Sequence, residues 1–407
     1  MTQVRMRQVL LDAFQAALDR VRGDRVVREA LTTAADDRPV HLIAIGKAAA
    51  AMTRGALEVL GDTLVDGLVV SRHGHLDGLD DPRLTVLASD HPVPGEASLA
   101  AGEMLVAYFS RLPADHRLVA LISGGASSLV ERLPPGFSLE DLRALTEGLL
   151  ASGLDIHAIN RIRREVSLIK GGKLLGFGPI RDIEVLLISD VRDDDPALIG
   201  SGLFHPDDAS EAAVWPESLT AFRDRLAHSA QRDPLPPAPS HRIVASLEDA
   251  KSAAVEAARA AGFEAHLHEQ FLDGDAARTA ASLSMHLVCL PAGIHVWGGE
   301  TTVALPAHAG RGGRNQHLAL AMARLLAGNE QVAVLVAGTD GSDGSTTDAG
   351  ALIDGGTVAR GEQAGLDVDE ALETFDSGRF LAASGDLVTT GPTGTNVMDL
   401  VIAAKLE

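Results

Sequence analysis

"LISGGASSLV", residues 121–130, carries an apolar run into a turn of glycines and hydroxyls, with nothing bulky before Leu129. A buried strand that opens at Ser123-Gly124-Gly125-Ala126-Ser127-Ser128 bares backbone N–H donors, whose natural partner is an anion. Upstream, short strand-like runs at 40–46, 66–71, 84–89 and 117–123 alternate with helical patterns at 47–60 and 96–112. That alternation predicts a parallel sheet covered on both faces. In such sheets ligands bind beyond the carboxyl ends of the strands. The turn at Ser123 therefore stands where a ligand is expected.

Further along, helical patterns at 138–152 and 155–169 precede a strand at 183–189. The segment "QRDPLPPAPS" (231–240) has four prolines, breaks both periodicities and predicts a domain boundary. The alternation then restarts, with strands at 241–247, 263–269, 292–298, 301–305 and 332–338 and helices at 248–262, 275–288 and 315–327. Two α/β domains are expected, residues 1–235 and 241–407. The N-terminal stretch reads as an amphipathic helix with Val9, Leu10, Phe14, Ala17, Leu18 and Val21 on one face.

Apolar residues make up 46% of the 407-residue chain and aromatics only 3%, so the cores must be built from aliphatic side chains. A formal net charge of −21 opposes general nucleic-acid binding, which demands a basic surface. It leaves room for one small anion in a locally basic cleft. Lysine occurs at only five positions, and three of them, Lys47, Lys170 and Lys173, adjoin a glycine. The single cysteine, Cys289, excludes an internal disulfide and a cysteine metal cluster, and is expected in the core. No stretch is long and apolar enough for a membrane span, and a cytoplasmic location is expected.

The predicted strands end repeatedly in the same chemistry. Gly46-Lys47, His73 and His75, Asp90 and His91, the Ser123 turn, Asp190 with Asp193 to Asp195, Glu300, and Asp340 with Asp343 each follow one strand. Such parts suit phosphoryl transfer: backbone N–H groups and hydroxyls hold phosphate, one or two carboxylates hold Mg²⁺, and Lys or Arg neutralises the moving group. "AGRGGRNQH" (309–317) sets Arg311 and Arg314 among glycines just before a helix, a ligand approach or else a solvated surface loop. In "SLIKGGKLLG" (167–176) a helix cap explains the glycines but not both lysines. "GDLVTTGPTGTN" (385–396) adds a run of threonines and Asn396.

Absent patterns narrow the field. No G-x-x-x-x-G-K-[ST] occurs, no G-x-G-x-x-G follows the first strand, and H-E-x-x-H and G-x-S-x-G are missing. Ser167-x-x-Lys170 matches a serine–lysine hydrolase pattern without its companion motifs.

"HLIAIGKAAAAM", "HPVPGEASLAAG", "LISGGASSL", "INRIRREVSLIKGGKL", "GGETTVAL", "GRGGRNQ", "AGTDGSDG" and "GDLVTTGPTGTNVMDL" together resemble the type-2 glycerate kinases, the MOFRL family, from about residue 5 to 402. The resemblance implies an N-terminal Rossmann-like domain, a smaller C-terminal α/β domain and an active site in the cleft between them. It implies ATP-dependent phosphorylation of the 2-hydroxyl of D-glycerate to 2-phosphoglycerate, with Mg²⁺. The family's lysine and arginine, thought catalytic, fall on Lys47 and Arg314.

On this reading Ser123 to Ser128, with Lys170, Asp194, Gly341, Thr393 and Asn396, hold nucleotide phosphates. Arg163, Lys173, Glu300, Arg311, Asn315 and Asp340, with Lys47, hold the acceptor, and Asp190 or Asp340 serves as base or Mg²⁺ ligand. Small-molecule partners are expected, with room for a homodimer. The rival activities are an NAD(P)H-dependent hydroxypyruvate reductase, a kinase for a related small 2-hydroxy acid and a non-catalytic anion-binding protein. Two stretches depart from the family pattern. Val191-Arg192-Asp193-Asp194-Asp195 puts an aspartate where glycine is usual, and Ser201-Gly202-Leu203-Phe204 puts apolar bulk where the family reads S-G-P-T. Both are expected near the cleft.

Overall fold

A computed structural model describes residues 3–32, 37–154, 156–207, 213–227, 235–306 and 308–407. Two compact units emerge, Val26–Val244 and a second unit made of Met1–Arg25 together with Ala245–Glu407.

The first unit is built on strands β1 (Val40–Ile45), β2 (Leu64–Arg72), β3 (Leu84–Ser89), β4 (Arg117–Ile122), β5 (Asp182–Ile188) and β6 (Ser240–Ala245), in the order β3-β2-β1-β4-β5-β6. The pairs β1–β2, β2–β3, β1–β4 and β4–β5 are all parallel. β1 and β4 are buried along nearly their whole length, as parallel strands covered on both faces must be. Helices Ala49–Leu60 and Glu96–Ser110 pack on this sheet, the latter over a core of Ile, Leu and Val with Phe109 and Phe204. Strand order reverses between β1 and β4, since the chain leaves β1 toward β2 on one side and returns to β4 on the other. That reversal is where open α/β sheets form a ligand crevice.

The second unit carries β7 (Ala265–Leu272), β8 (Gly293–Gly299), β9 (Val332–Gly338), β10 (Gly350–Asp354), β11 (Leu387–Val388) and β12 (Asp399–Lys405), in the order β11-β10-β9-β12-β8-β7. Only β7–β8 is parallel; β12 runs antiparallel between β8 and β9. Residues 301–305, expected as a strand, form only a single bridge from Thr302 to Asp275. Strands β10 to β12 lie past the last strand read from the sequence.

The domain boundary differs from the proline-rich expectation, part of which (231–234) lies outside the described residues. β6, expected to open the second domain, instead adds to the edge of the first sheet beside β5. The helix Gln3–Val21 belongs to the second unit. Its buried stripe, including Val9, Leu10, Phe14, Ala17 and Leu18, packs on helix Leu247–Ala260, β9 and β12. Arg7 fastens it further, reaching the buried carboxylates Asp354 (2.7 Å) and Asp386 (2.9 Å). Cys289 ends helix Ala276–Cys289 and is exposed, not in the core, because it sits on the helix's outer face beside half-exposed Val288.

Candidate active site

In the first unit the loops after β1 and β4 are stitched together. The Lys47 amide donates to the Gly124 carbonyl (2.9 Å), the Ser123 amide to the Ile45 carbonyl (3.0 Å) and the Ala48 amide to Ser123 Oγ (3.1 Å). Gly46 has φ +133°, and a Cβ there would lie 2.2 Å from Ser123 Oγ, so only glycine lets the two loops close. A side chain at Gly125 would meet the His91 ring at 3.1 Å and Lys47 Cγ at 3.3 Å. Lys47 and His91 thus face one another across the glycine turn.

The serines of that turn mostly serve the fold. Ser123 is fully buried and accepts from Ala48, Ser128 Oγ donates to the Gly125 carbonyl (3.0 Å), and Ser127 Oγ lies 2.7 Å from Ser201 Oγ. Ala126 is buried and starts a helix of only four residues. The amides of Gly124 and Gly125 make no hydrogen bond among the described residues. They are the donors an anion would find.

The two lysines of residues 167–176 have other work. Lys170 is fully buried, with Nζ 2.6 Å from Glu131 Oε2, and Ser167 Oγ donates to the other oxygen of Glu131. Burial pushes the Lys170 ammonium below its ordinary range, and Glu131 pulls it back. Such an enclosed charge reaches no ligand. Lys173 Nζ donates to the carbonyls of Arg164, Glu165 and Ser167, closing the end of helix Ile156–Val166. Arg163 differs from both. Its half-buried guanidinium has no hydrogen bond or ion pair among the described residues; burial lowers its pKa and the field of Glu131 opposes this.

At the end of β5, Asp190 is half-buried beside the Ser123 end of β4. Asp193 takes φ +65° and Asp194 φ +53°, so the aspartate at the family's glycine position adopts the left-handed backbone anyway. Leu203 and Phe204 are core residues, Phe204 meeting Phe109 edge-on at 6.2 Å. Their bulk thus faces inward, while Ser201 of the same stretch lies against Ser127 of the glycine turn (2.7 Å).

In the second unit β8 and β9 end where β12 begins, and helix Arg314–Leu325 starts at the same edge. Arg314 Nε and Nη2 grip both oxygens of Asp399 (2.6 and 3.0 Å), and Nη1 reaches half-exposed Glu300 (2.8 Å). Burial opposes the Arg314 charge, but the two carboxylates outweigh it and raise its pKa. Asp343 caps the helix, accepting from the amides of Asn315 (3.1 Å) and Gln316 (2.7 Å). Burial pushes the Asp343 carboxyl up to about 7, against the pull of those two amides. Asp340 Oδ1 accepts from the amide and hydroxyl of Ser342. Gly341 packs against the Gly391 carbonyl, and Thr393 Oγ1 donates to the Thr339 carbonyl. Asn396 is buried.

Arg311 is turned to Asp348 (2.8 Å), which Thr389 also bonds. Asn315 is 1% exposed, and its side-chain amide has no hydrogen-bond partner among the described residues. Among the described residues no group of three metal-ligating side chains occurs, His73 and His75 included. Sequence reasoning missed Glu131 and Asp399 as site-building residues, and read Asp343 as a strand-end carboxylate without its role as the cap of the Arg314 helix. Asp399 lies inside the quoted "NVMDL" stretch, but nothing in its spacing pairs it with Arg314.

The family model described as a domain of unknown function, DUF4147, matches residues 9–227, and the MOFRL family model matches residues 293–399. The D-glycerate 2-kinase of Thermotoga maritima is 35% identical, over 98% of both chains. A protein of Agrobacterium vitis named putative hydroxypyruvate reductase is 36% identical, over 98% of this chain and 94% of its own. The crystal structure of glycerate kinase from Thermotoga maritima matches with a TM-score of 0.84 at 32% identity, covering 99% of this chain and 100% of that one. With both units matched and relatives alike from end to end, this chain belongs to the type-2 glycerate kinase family and carries that family's MOFRL domain.

Proposed function

We propose that this protein transfers the γ-phosphoryl group of ATP to the 2-hydroxyl of D-glycerate, giving 2-phosphoglycerate and ADP. The observation that carries the reading is end-to-end similarity to a D-glycerate 2-kinase, spanning both loop clusters. The acceptor's hydroxyl oxygen bonds to the γ-phosphorus, the bond to the bridging oxygen of ADP breaks, and the hydroxyl proton passes to Asp190. Lys47, beside the unbonded amides of Gly124 and Gly125, offsets charge on the phosphate oxygens. In the second unit Arg314 offers a cation for phosphate charge; its contact to half-exposed Glu300 is the one a phosphoryl oxygen would replace, while Asp399 keeps the guanidinium aimed. Arg163, without a hydrogen bond or ion pair among the described residues, anchors the acceptor carboxylate in place of Lys170 and Lys173.

Mg²⁺ needs only one or two protein carboxylates when nucleotide phosphates complete its shell. A single carboxylate at a strand end fits that need, and Asp340 is the one that would hold it. Bound there, the ion neutralises phosphate charge. Asp340, oriented by Ser342, is too well bonded to act as base.

Incubation of the purified protein with ATP, Mg²⁺ and a panel of small hydroxy acids tests the reading, with the product's phosphate position read by NMR. Phosphorylation of D-glycerate at its 2-position is expected. NADH oxidation with hydroxypyruvate, without ATP-dependent turnover, would support the reductase instead.

A further inference from the structure

Beside the Lys47 turn the first unit holds an open cavity of about 600 Å³, walled by residues 90–97 and by Arg143 from helix Leu139–Ala151. Its size falls within the roughly 300–1,000 Å³ of ordinary small-molecule sites and far exceeds a three-carbon acid. Its wall is chemically mixed. Pro92 and Val93 offer exposed apolar surface, Val93 being 60% exposed, and Glu96 and Arg143 are exposed ions with no bonded partner among the described residues. Asp90 is spent on capping helix Glu96–Ser110 through the Ala97 amide (2.9 Å). A negative first turn of this kind repels phosphate, so the cavity itself is no polyphosphate cradle. One wall residue, His91, touches the space over Gly125 that Lys47 also borders. The cavity therefore opens onto the phosphate-binding elements while being built for something larger and less charged.

Resting on the kinase reading, we propose that this cavity takes the nucleoside moiety of the phosphoryl donor. The base lies against Pro92 and Val93 with the Arg143 guanidinium stacked on its face, and the phosphates run past His91 to Lys47 and the Gly124–Gly125 amides. A planar guanidinium is suited to stacking on an aromatic base. Glu96 is placed to accept from a ribose hydroxyl.

The wild-type assay comes first, because absence of D-glycerate phosphorylation overturns the kinase reading by itself. Adenosine, which has no phosphate, probes the cavity separately by calorimetry and as an inhibitor competitive with ATP. Val93→Trp fills the cavity and Arg143→Glu removes the stacking cation. Both positions are exposed, so the thermal unfolding midpoint should stay at the wild-type value. Each variant should raise KM for ATP about tenfold or more, with kcat and KM for D-glycerate within about twofold, and adenosine affinity should fall in parallel. An unchanged KM for ATP in both variants, or a rise confined to the acceptor's KM, overturns the nucleoside assignment and leaves the kinase reading standing.

Discussion

Lys47 and His91 flank one point above Gly125, whose amide and that of Gly124 make no hydrogen bond among the described residues. Lys47→Ala is expected to lower kcat by roughly 10²–10³-fold, in the range found when one preorganised charge partner is removed, without altering the circular-dichroism melt. Arg314→Lys keeps the charge but loses the two-pronged grip on Asp399, and should cost a comparable factor in kcat because a point charge is not held in plane. Asp343 brings a pH dependence. Its folded carboxyl is raised from the ordinary 3.8 to about 7, so the fold binds its proton where the unfolded chain has lost it. The stability from that proton is fully present below pH 3.8 and is lost as pH rises through 7. Asp343→Asn, neutral throughout, should flatten the fall in urea midpoint between these values; an unchanged slope would assign it to another group. At Asp193 the left-handed backbone is strained for any side chain. Asp193→Gly should raise stability by about 1 kcal/mol or less, read from equilibrium urea unfolding.

Among elements, the loop after helix Ile156–Val166 shows how burial assigns roles that residue type does not. Lys170 and Lys173 resemble phosphate ligands in a glycine-rich string, yet one neutralises Glu131 inside the core and the other closes a helix end. Lys170→Ala leaves a buried carboxylate without its counter-ion and should cost about 3–5 kcal/mol. A raised KM for ATP with unchanged urea unfolding would instead return Lys170 to the ligand site. The helix starting at Arg314 depends on Asp343, since its N-cap residue, Gly313, has no side chain to satisfy the first amides. Arg314 is thereby fixed from both sides, by a helix cap beneath and Asp399 beside it.

At the scale of the whole molecule, the chain begins in one unit, crosses to build the other, and returns. The helix Gln3–Val21 covers a face of the second sheet although that sheet's first strand begins only at Ala265. Removing residues 1–25 would expose the apolar stripe it covers on helix Leu247–Ala260 and leave Asp354 and Asp386 without Arg7. The truncated chain should therefore lose the second unit first. Trp215 lies in the first unit and buried Trp297 in the second, so in a Trp215→Phe background fluorescence reports the second unit alone. Its transition should move to lower urea on truncation.

The sequence alone determined the parallel sheet of the first unit, the glycine-lined strand ends and the two cations at 47 and 314, because buried strands and tight turns restrict residue choice locally. Hydrophobic periodicity reports burial on one face, not which strand lies alongside. Tertiary structure therefore decided the antiparallel pairing of β12, the placement of β6 and the return of the first helix to the second unit. It also decided which charges are available. Lys170 and Arg163 are alike as letters, but one is sealed against Glu131 and the other is not, and only the folding of distant segments onto them makes that difference.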